Sequence, residues 1–211
     1  METRYHVRSF DLPVPPEDFS QIPRQPIYAV LDNLRSAFNV GSIIRTADCA
    51  LVGKVYFCGY TAHPPHKKLD KTSLGALPYV PWAYHPTVAD ALSELKQMNI
   101  PIVALELTNR SDLIWDVSFP MPVALVLGNE ALGVSQDALN MADQVVEVPM
   151  LGYKNSLNVA VAFGVTVYEI QRQHWARSGE ATWRQLEQLR QDVPCQESDG
   201  PPTNKEDQTH E

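Results

Sequence analysis

The stretch ALVLGNEALGVS, residues 124–135, decides the fold, because an apolar run ends there in Gly128-Asn129-Glu130 and a second glycine, Gly133, precedes a helical pattern. A short Ala/Leu/Val run bounded by glycine is typical of a strand covered on both faces. Ligand sites of parallel α/β sheets lie at the carboxyl ends of such strands. The Lys-Ser/Thr pair of a phosphate-binding loop is missing after Gly133, which argues against binding of nucleoside triphosphates.

Apolar runs of the same kind alternate with helical patterns on both sides of this stretch. This alternation predicts an α/β fold with a mostly parallel sheet and helices on both faces. We expect one domain at 26–176, an extended lead-in at 1–25, and a short helix with a disordered acidic tail at 177–211. The predicted strands are 27–31, 54–58, 102–107, 123–127 and 144–148, and the predicted helices are 38–51, 87–98, 134–141 and 156–175.

The net charge of −8 counts against a nucleic-acid partner when it is taken alone. Residues 192–211 hold six acids against one lysine, so −5 of the −8 belongs to this tail and −3 to the rest of the chain. Any contact with RNA then depends on local basic clusters. Our candidates are Lys67, Lys68 and Lys71 in the segment 63–77, which we expect to be a loop.

Composition also predicts the compartment of the protein and argues against a metal site. No apolar run approaches the roughly 20 residues of a membrane-spanning helix, and the N-terminus lacks the apolar run of a secretory signal. The three cysteines are far apart in the sequence and form no CxxC pair. His63-Pro-Pro-His66 has no third ligand nearby. We therefore expect a cytoplasmic protein with reduced thiols and no metal.

A second motif, NLRSAFNVGSIIRTADCALV, occupies residues 33–52. Its apolar residues recur at helical spacing and predict a helix that begins near Asn39, which we expect to cap it. Arg45 lies one turn after Ser42 on a neighbouring face. A guanidinium there is either a solvated charge or a fork presented to a carboxylate or phosphate.

The third motif, VPMLGYKNSLNVAVAFGVTVYEI, occupies residues 148–170. A glycine loop leads to Ser156-Leu157-Asn158, which we expect to open a helix that is apolar nearly all round. Such a helix is buried on more than one side, against the sheet and against a partner subunit. Ser156 is either an ordinary N-cap or, since N–H groups at a helix start also suit ligands, part of a binding site.

Taken in order, FNVGSIIRTA, LVLGNEALG and VPMLGYKNSLNVAVA resemble the three signature motifs of the SpoU/TrmH family of RNA 2′-O-ribose methyltransferases, within the SPOUT superfamily. The resemblance covers about residues 26–175. It implies a C-terminal part tied in a deep trefoil knot, S-adenosylmethionine as methyl donor, and RNA as substrate. It also implies a homodimer in which an arginine of one subunit acts beside the cofactor held by the other.

Residue by residue, the resemblance assigns two sets of site residues. The catalytic set is Asn39, Arg45, Glu130, Ser156 and Asn158. The cofactor-binding set is Leu105, Leu127, Gly128, Asn129, Glu130, Val148, Met150, Ser156 and Leu157. All five catalytic positions of the family are present, which favours an active enzyme over a degenerate relative.

Arg45 keeps its proton at ordinary pH, so we interpret it as an anchor for the phosphate beside the target ribose rather than as a base. Ser156 and Asn158 would then favour an alkoxide-like 2′-oxygen. We expect transfer RNA as the substrate first and ribosomal RNA second.

Three alternatives stay open. A base-methylating SPOUT enzyme is disfavoured by the set of Asn39, Arg45 and Ser156-Leu157-Asn158. A Rossmann-type methyltransferase is disfavoured because DNLRSAFNVG follows the first strand without a G-x-G-type loop. A non-catalytic RNA-binding or assembly protein with the same fold would bind RNA without transferring a methyl group.

Overall fold

The computed structural model describes residues 23–178, so nearly all of the predicted lead-in and of the predicted C-terminal tail lie outside the described residues. The strands are β1 Gln25–Asp32, β2 Val52–Cys58, β3 Trp82–His85, β4 Ile102–Leu105, β5 Asp112–Leu113, β6 Val123–Leu127 and β7 Gln144–Glu147. The helices are α1 Ala37–Cys49, α2 Lys67–Thr72, α3 Val88–Gln97, α4 Gln136–Met141 and α5 Val159–Ser178, with a short 3-10 helix at Leu77–Tyr79.

The strands form one seven-stranded sheet in the order β3-β2-β1-β6-β4-β7-β5. Each neighbouring pair in this sheet is parallel, which confirms the predicted sheet type. The central strands β1 and β6 are almost fully buried, because helices cover both of their faces. The sequence reading missed β3 and β5, which are the two edge strands and carry exposed residues.

Each face of the sheet has its own core, which confirms the prediction of helices on both faces. On one face, Ile43 and Ile44 of α1 join Phe163 and Val167 of α5. On the other face, Leu92 of α3 joins a cluster that also includes α4. No helix in the described part of the chain is both long enough and apolar enough to cross a membrane.

Helix α1 begins earlier than predicted. Ser36 is its N-cap, and the Ser36 hydroxyl accepts a hydrogen bond from the Asn39 backbone N–H at 3.3 Å. The prediction that Asn39 caps this helix is therefore wrong, because a serine three residues upstream reaches the same N–H group. Asn39 lies in the first turn instead, and its side chain is available for contacts outside the helix.

Helix α5 begins later than predicted, at Val159. The Asn158 side-chain oxygen accepts from the backbone N–H of Ala160 at 2.9 Å and of Val161 at 3.4 Å. Asn158 therefore has the capping contacts expected of Ser156, and Ser156 lies in the exposed segment 151–158 before the helix. The amide oxygen of asparagine caps a helix as well as a serine hydroxyl does, so residue type alone does not separate the two positions.

Part of the predicted loop 63–77 is the helix α2. Leu69 is its buried residue and joins the core cluster of α1, and the Thr72 hydroxyl oxygen lies 3.2 Å from the Ala37 backbone oxygen, so α2 lies beside the start of α1. A six-residue helix with one buried side chain has no hydrophobic period that a sequence reading can detect.

Candidate active site

The site lies at the carboxyl ends of the central strands β1 and β6. From β1 the chain continues to β2 on one side, and from β6 it continues through α4 to β7 on the other. A parallel sheet forms a crevice where neighbouring connections diverge in this way, and ligands bind in such crevices. The segment after β1 leads to Asn39 and the segment after β6 contains Glu130, so two of the motifs meet here.

Glu130 fixes the segment that enters α1 through three hydrogen bonds. Its carboxylate accepts from the backbone N–H of Arg35 at 2.8 Å and of Ser36 at 3.0 Å. It also accepts from the Asn39 side-chain amide at 2.7 Å. Since N–H groups at the start of a helix lack partners inside it and favour negative charge, a carboxylate is well suited to this position.

Asn39 extends this contact to the third motif. Its side-chain oxygen accepts from Nδ2 of Asn158 at 2.9 Å, while the other end of the Asn158 amide caps α5. We call Glu130, Asn39 and Asn158 the linking network. It brings together residues that are 91 and 119 positions apart in the sequence, and it unites three of the five predicted catalytic residues.

The linking network depends on an ionised carboxylate. Partial burial of Glu130 opposes ionisation, but the hydrogen bonds from Arg35, Asn39 and Ser36 outweigh that effect and lower the pKa of this carboxyl group. Hydrogen bonds to the charged form always act in this direction. Glu130 is therefore ionised at neutral pH, and its charge faces the start of α1.

A tight loop presents Glu130. The buried Asn129 side chain accepts from the backbone N–H of Ala131 at 2.9 Å and of Leu132 at 3.0 Å, and the Asn129 backbone pairs with Gly133. Gly133 has φ +72°, and a Cβ there would lie 2.4 Å from the Glu106 carboxylate. Only glycine fits such a position, so the loop before α4 has one permitted shape.

Arg45 and Ser156 lie outside the linking network. Arg45 is exposed on α1, six residues after Asn39, which places it about 9 Å further along the helix axis. Within residues 23–178, no hydrogen bond or ion pair is found for Arg45. The catalytic roles given to Arg45 and Ser156 therefore stay predictions.

The predicted cofactor wall gathers at the same edge of the sheet. Most of its members lie at or just after the ends of β6, β4 and β7, which are neighbours in the sheet, whereas Ser156 and Leu157 lie further along the chain, just before α5. Leu127, Gly128 and Asn129 are buried, whereas Leu105, Val148 and Met150 are half-buried and Ser156 and Leu157 are exposed. The result is an aliphatic surface beside the linking network, next to the exposed segment 151–158.

Three residues of this site were missed by the sequence reading. Glu106 accepts from the Val134 backbone N–H at 2.7 Å, although we had placed it inside a strand. Asp32 accepts from the Ser135 backbone N–H at 2.8 Å. Both are carboxylates at the carboxyl ends of parallel strands, a position that is typical of binding-site residues and could have identified them from the sequence. Tyr60, whose hydroxyl contacts Asn129, gave no signal, because a single aromatic residue in a loop has no period.

One of the two histidines in the segment 63–77 contacts an aromatic ring. The His63 ring stacks on Tyr84 with 4.2 Å between ring centroids. Among residues 23–178, no three His, Cys, Asp or Glu side chains are grouped closely enough to hold a metal ion.

Replacing Glu130 by Gln should lower the stability of the protein in a pH-dependent way. At neutral pH we expect a loss of about 0.5–1.5 kcal/mol, because the exposed N–H groups that now bind a carboxylate would face a neutral amide. The pKa of Glu130 is lowered from its ordinary value of 4.5, so its contribution is full above that value and is lost as the pH falls through the lower folded value. Urea unfolding at a series of pH values measures the difference between the two proteins.

The matched control for this prediction is Asp116→Asn, which neutralises an exposed carboxylate whose side chain is outside the linking network. This control should show no such loss at neutral pH. A Glu130→Gln deficit that stays constant down to acid pH would contradict the stated role of the Glu130 charge.

A profile of the SpoU rRNA Methylase family matches residues 26–168. The tRNA (guanosine(18)-2'-O)-methyltransferase of Escherichia coli is 32% identical over 151 residues, which are 71% of this chain and 65% of that protein. The protein of the same name from Thermus thermophilus is 34% identical over 151 residues, with 71% and 77% covered. This chain thus spans slightly less than two thirds of the length of the E. coli relative.

Solved structures give the same result. The TrmH/SpoU tRNA modifying enzyme of Aquifex aeolicus superposes with a TM-score of 0.68 at 27% identity, over 85% of this chain and 95% of that one. The SpoU methyltransferase AviRb from Streptomyces viridochromogenes, in complex with the cofactor AdoMet, superposes with a TM-score of 0.67 at 29% identity, over 77% and 66%. Because the matching profile covers well over half of the sequence, the chain belongs to the SpoU rRNA Methylase family.

Proposed function

We propose that this protein transfers a methyl group from S-adenosylmethionine to a ribose 2′-hydroxyl of a structured RNA, with transfer RNA favoured over ribosomal RNA. The observation that carries the proposal is the linking network, which brings the three motifs to one edge of the sheet. The relatives from E. coli and T. thermophilus, named as tRNA guanosine 2'-O-methyltransferases, support the reaction and favour tRNA. Both the substrate and the donor would be met in the cytoplasm, which we take as the compartment.

The residues of the cofactor wall suit S-adenosylmethionine. Half-buried aliphatic side chains such as Leu105, Val148 and Met150 offer an apolar surface for a purine ring. A Cβ on Gly152 would meet nothing within 4 Å, so there is open space beside this residue of the exposed segment 151–158. When bound, the cofactor supplies a methyl group on a sulfonium, which needs only in-line attack by an oxygen nucleophile.

Positioning and charge are what the protein itself adds to the reaction. Arg45 holds the phosphate beside the target ribose as a bidentate fork, and it does not act as a base because it keeps its proton. Ser156 and Asn158 bind the 2′-oxygen and favour its alkoxide-like form, and because both are exposed the hydroxyl proton would pass to water. The new O–CH3 bond would form as the bond from the methyl group to sulfur breaks, with S-adenosylhomocysteine as the leaving group. The linking network holds Asn158 in place, since the Asn158 amide is shared between Asn39 and the start of α5.

We further propose a homodimer with composite active sites. Helix α5 exposes Val161, Val165 and Tyr168 along one stripe, opposite its buried residues Phe163 and Val167. An exposed apolar stripe on a helix is a suitable isologous dimer contact. Helix α1 packs beside α5 and exposes Arg45. In a dimer formed through α5, Arg45 of one subunit would therefore lie near the cofactor wall of the other.

The predicted trefoil knot is retained as part of this proposal. The connection between β4 and β6 lies against α5, because the Gln173 amide binds the backbone of Val117 and Phe119. Arg177 adds a bond to the Phe119 backbone oxygen at 2.6 Å. Helix α5, which follows β7, therefore packs against this connection, and we propose that the knot forms there.

The lysines Lys67, Lys68 and Lys71 are proposed to contact RNA phosphates. All three are exposed on α2, which is fixed beside the start of α1 and therefore near the linking network. Basic side chains in this place supply the local positive charge that the acidic chain as a whole lacks.

The proposed reaction predicts a defined product. Incubation of the protein with methyl-labelled S-adenosylmethionine and total RNA should place label on ribose 2′-oxygens, and matched DNA should stay unlabelled because it has no 2′-hydroxyl. Mapping of 2′-O-methyl sites identifies the nucleotide. Label on a base would instead support a base-methylating enzyme, and RNA binding without label would support a non-catalytic protein.

Arg45→Lys tests the role of the guanidinium. We expect loss of most methyl transfer, because a point charge does not make the bidentate contact of an arginine. Initial rates with saturating RNA and cofactor measure the effect. Activity within about tenfold of the wild-type protein would contradict the phosphate-anchor role.

A further inference from the structure

A groove lies immediately beside the crevice of the linking network. Its volume is about 610 Å³, within the range of small-molecule sites. It opens at the carboxyl ends of β1 and β2, and it shares Arg35 and Ser36 with the crevice that contains Asn39 and Glu130. A ligand in the groove would therefore be a direct neighbour of anything bound at the linking network.

Tyr60 forms a rigid aromatic wall of this groove. Its hydroxyl accepts a hydrogen bond from the buried Asn129 amide at 2.7 Å, and its backbone N–H donates to the Asn33 side-chain oxygen at 3.3 Å. Despite these two anchors, Tyr60 remains 60% exposed. Both the hydroxyl and the backbone of Tyr60 are therefore hydrogen-bonded, while much of its ring is open to solvent. Such a ring loses little conformational freedom when a base stacks on it.

Phe38 supplies a second exposed ring in the same groove. It lies in the first turn of α1, directly before Asn39, and is 66% exposed. No core contact explains an aromatic residue there, whereas the next residues inward, Val40 and Ile43, are fully buried. The His63 ring also lines the groove but is already stacked on Tyr84, so Phe38 and Tyr60 are the two open rings.

The charge of the groove complements a nucleic acid. Its lining includes the cations Arg35 and Lys68 and contains no carboxylate, although the chain as a whole carries −8. Cations beside open aromatic rings are the combination by which proteins bind single-stranded RNA, since the rings stack on bases and the cations bind phosphates.

We propose that this groove binds an unpaired nucleobase of the RNA strand that carries the target ribose, stacked on Tyr60 and Phe38, with its phosphate held by Arg35 and Lys68. The inference rests on the proposed function, because RNA is its ligand. It adds that the protein selects an unpaired stretch of RNA. Such selection tolerates different sequences, because every base has a face on which an aromatic ring stacks.

The test is the affinity of the protein for a fluorescein-labelled single-stranded oligoribonucleotide, measured by fluorescence anisotropy without cofactor. Phe38→Leu and Tyr60→Leu should each weaken binding by about 5- to 150-fold, which corresponds to the loss of one stacked base. The wild-type protein should also bind the single strand more tightly than the same sequence in a duplex.

Two controls separate stacking from general damage. Tyr60→Phe loses the bond to Asn129 but keeps the ring, so it should bind RNA far more tightly than Tyr60→Leu. Trp115→Leu removes another exposed aromatic residue, which follows the edge strand β5 at the other end of the sheet, and should leave the affinity unchanged. Wild-type affinity of both leucine variants at Phe38 and Tyr60, or equal binding of single strand and duplex, would overturn the inference.

The outcomes also distinguish this inference from the proposed function. If RNA binding depends on the two rings but no methyl group is transferred, the inference about the groove is supported and the proposed reaction is refuted. If methyl transfer is normal but RNA binding does not depend on the rings, only the inference about the groove is refuted. Poly-glutamate serves as a competitor for the labelled RNA. If it competes as strongly as unlabelled RNA, and equally well in the leucine variants, the groove binds an acidic protein segment and the proposed binding of a nucleobase is wrong.

Discussion

The ionised carboxylate of Glu130 is the constraint on which the site depends. It binds two backbone N–H groups and the Asn39 amide at the entry to α1, and Asn39 in turn binds Asn158 at the entry to α5. Two helices that begin more than one hundred residues apart are thereby oriented against one loop. Because each member binds the next, loss of one member removes a hydrogen bond of its neighbour as well as its own.

The fold makes this network possible through its strand order. Since β1 and β6 are central neighbours, the segments that follow them share one crevice, and the return of the chain from β7 brings α5 against α1. Glycine at position 133 then permits the tight loop that presents Glu130. The proposed catalysis needs this rigidity, because methyl transfer from a reactive sulfonium depends more on alignment of the oxygen than on strong acid or base groups. The exposed rings of Tyr60 and Phe38 lie in the groove beside this edge, where we propose that they stack on the RNA.

Much of the fold could be predicted from the sequence, because buried parallel strands leave continuous apolar runs such as Val123–Leu127. The edge strand Trp82–His85 alternates exposed and half-buried residues and escaped detection for that reason. The motifs placed Asn39, Glu130 and Asn158 in one site, and the structure joins them by hydrogen bonds. The pattern predicted Asn39 as the cap of α1, whereas Ser36 caps it, because serine and asparagine cap helices equally well. No sequence pattern could predict the role of Tyr60, since the position of its side chain depends on a hydrogen bond to Asn129, 69 residues away.

The most direct test of this account is the energetic coupling between Glu130 and Asn158, which both bind Asn39. Glu130→Gln and Asn158→Ser, where serine keeps a capping oxygen, are compared alone and together by urea unfolding at neutral pH. The account predicts a coupling of at least about 0.5 kcal/mol that disappears when Asn39 is replaced by alanine. Additive effects of the two substitutions, with or without Asn39, would contradict it.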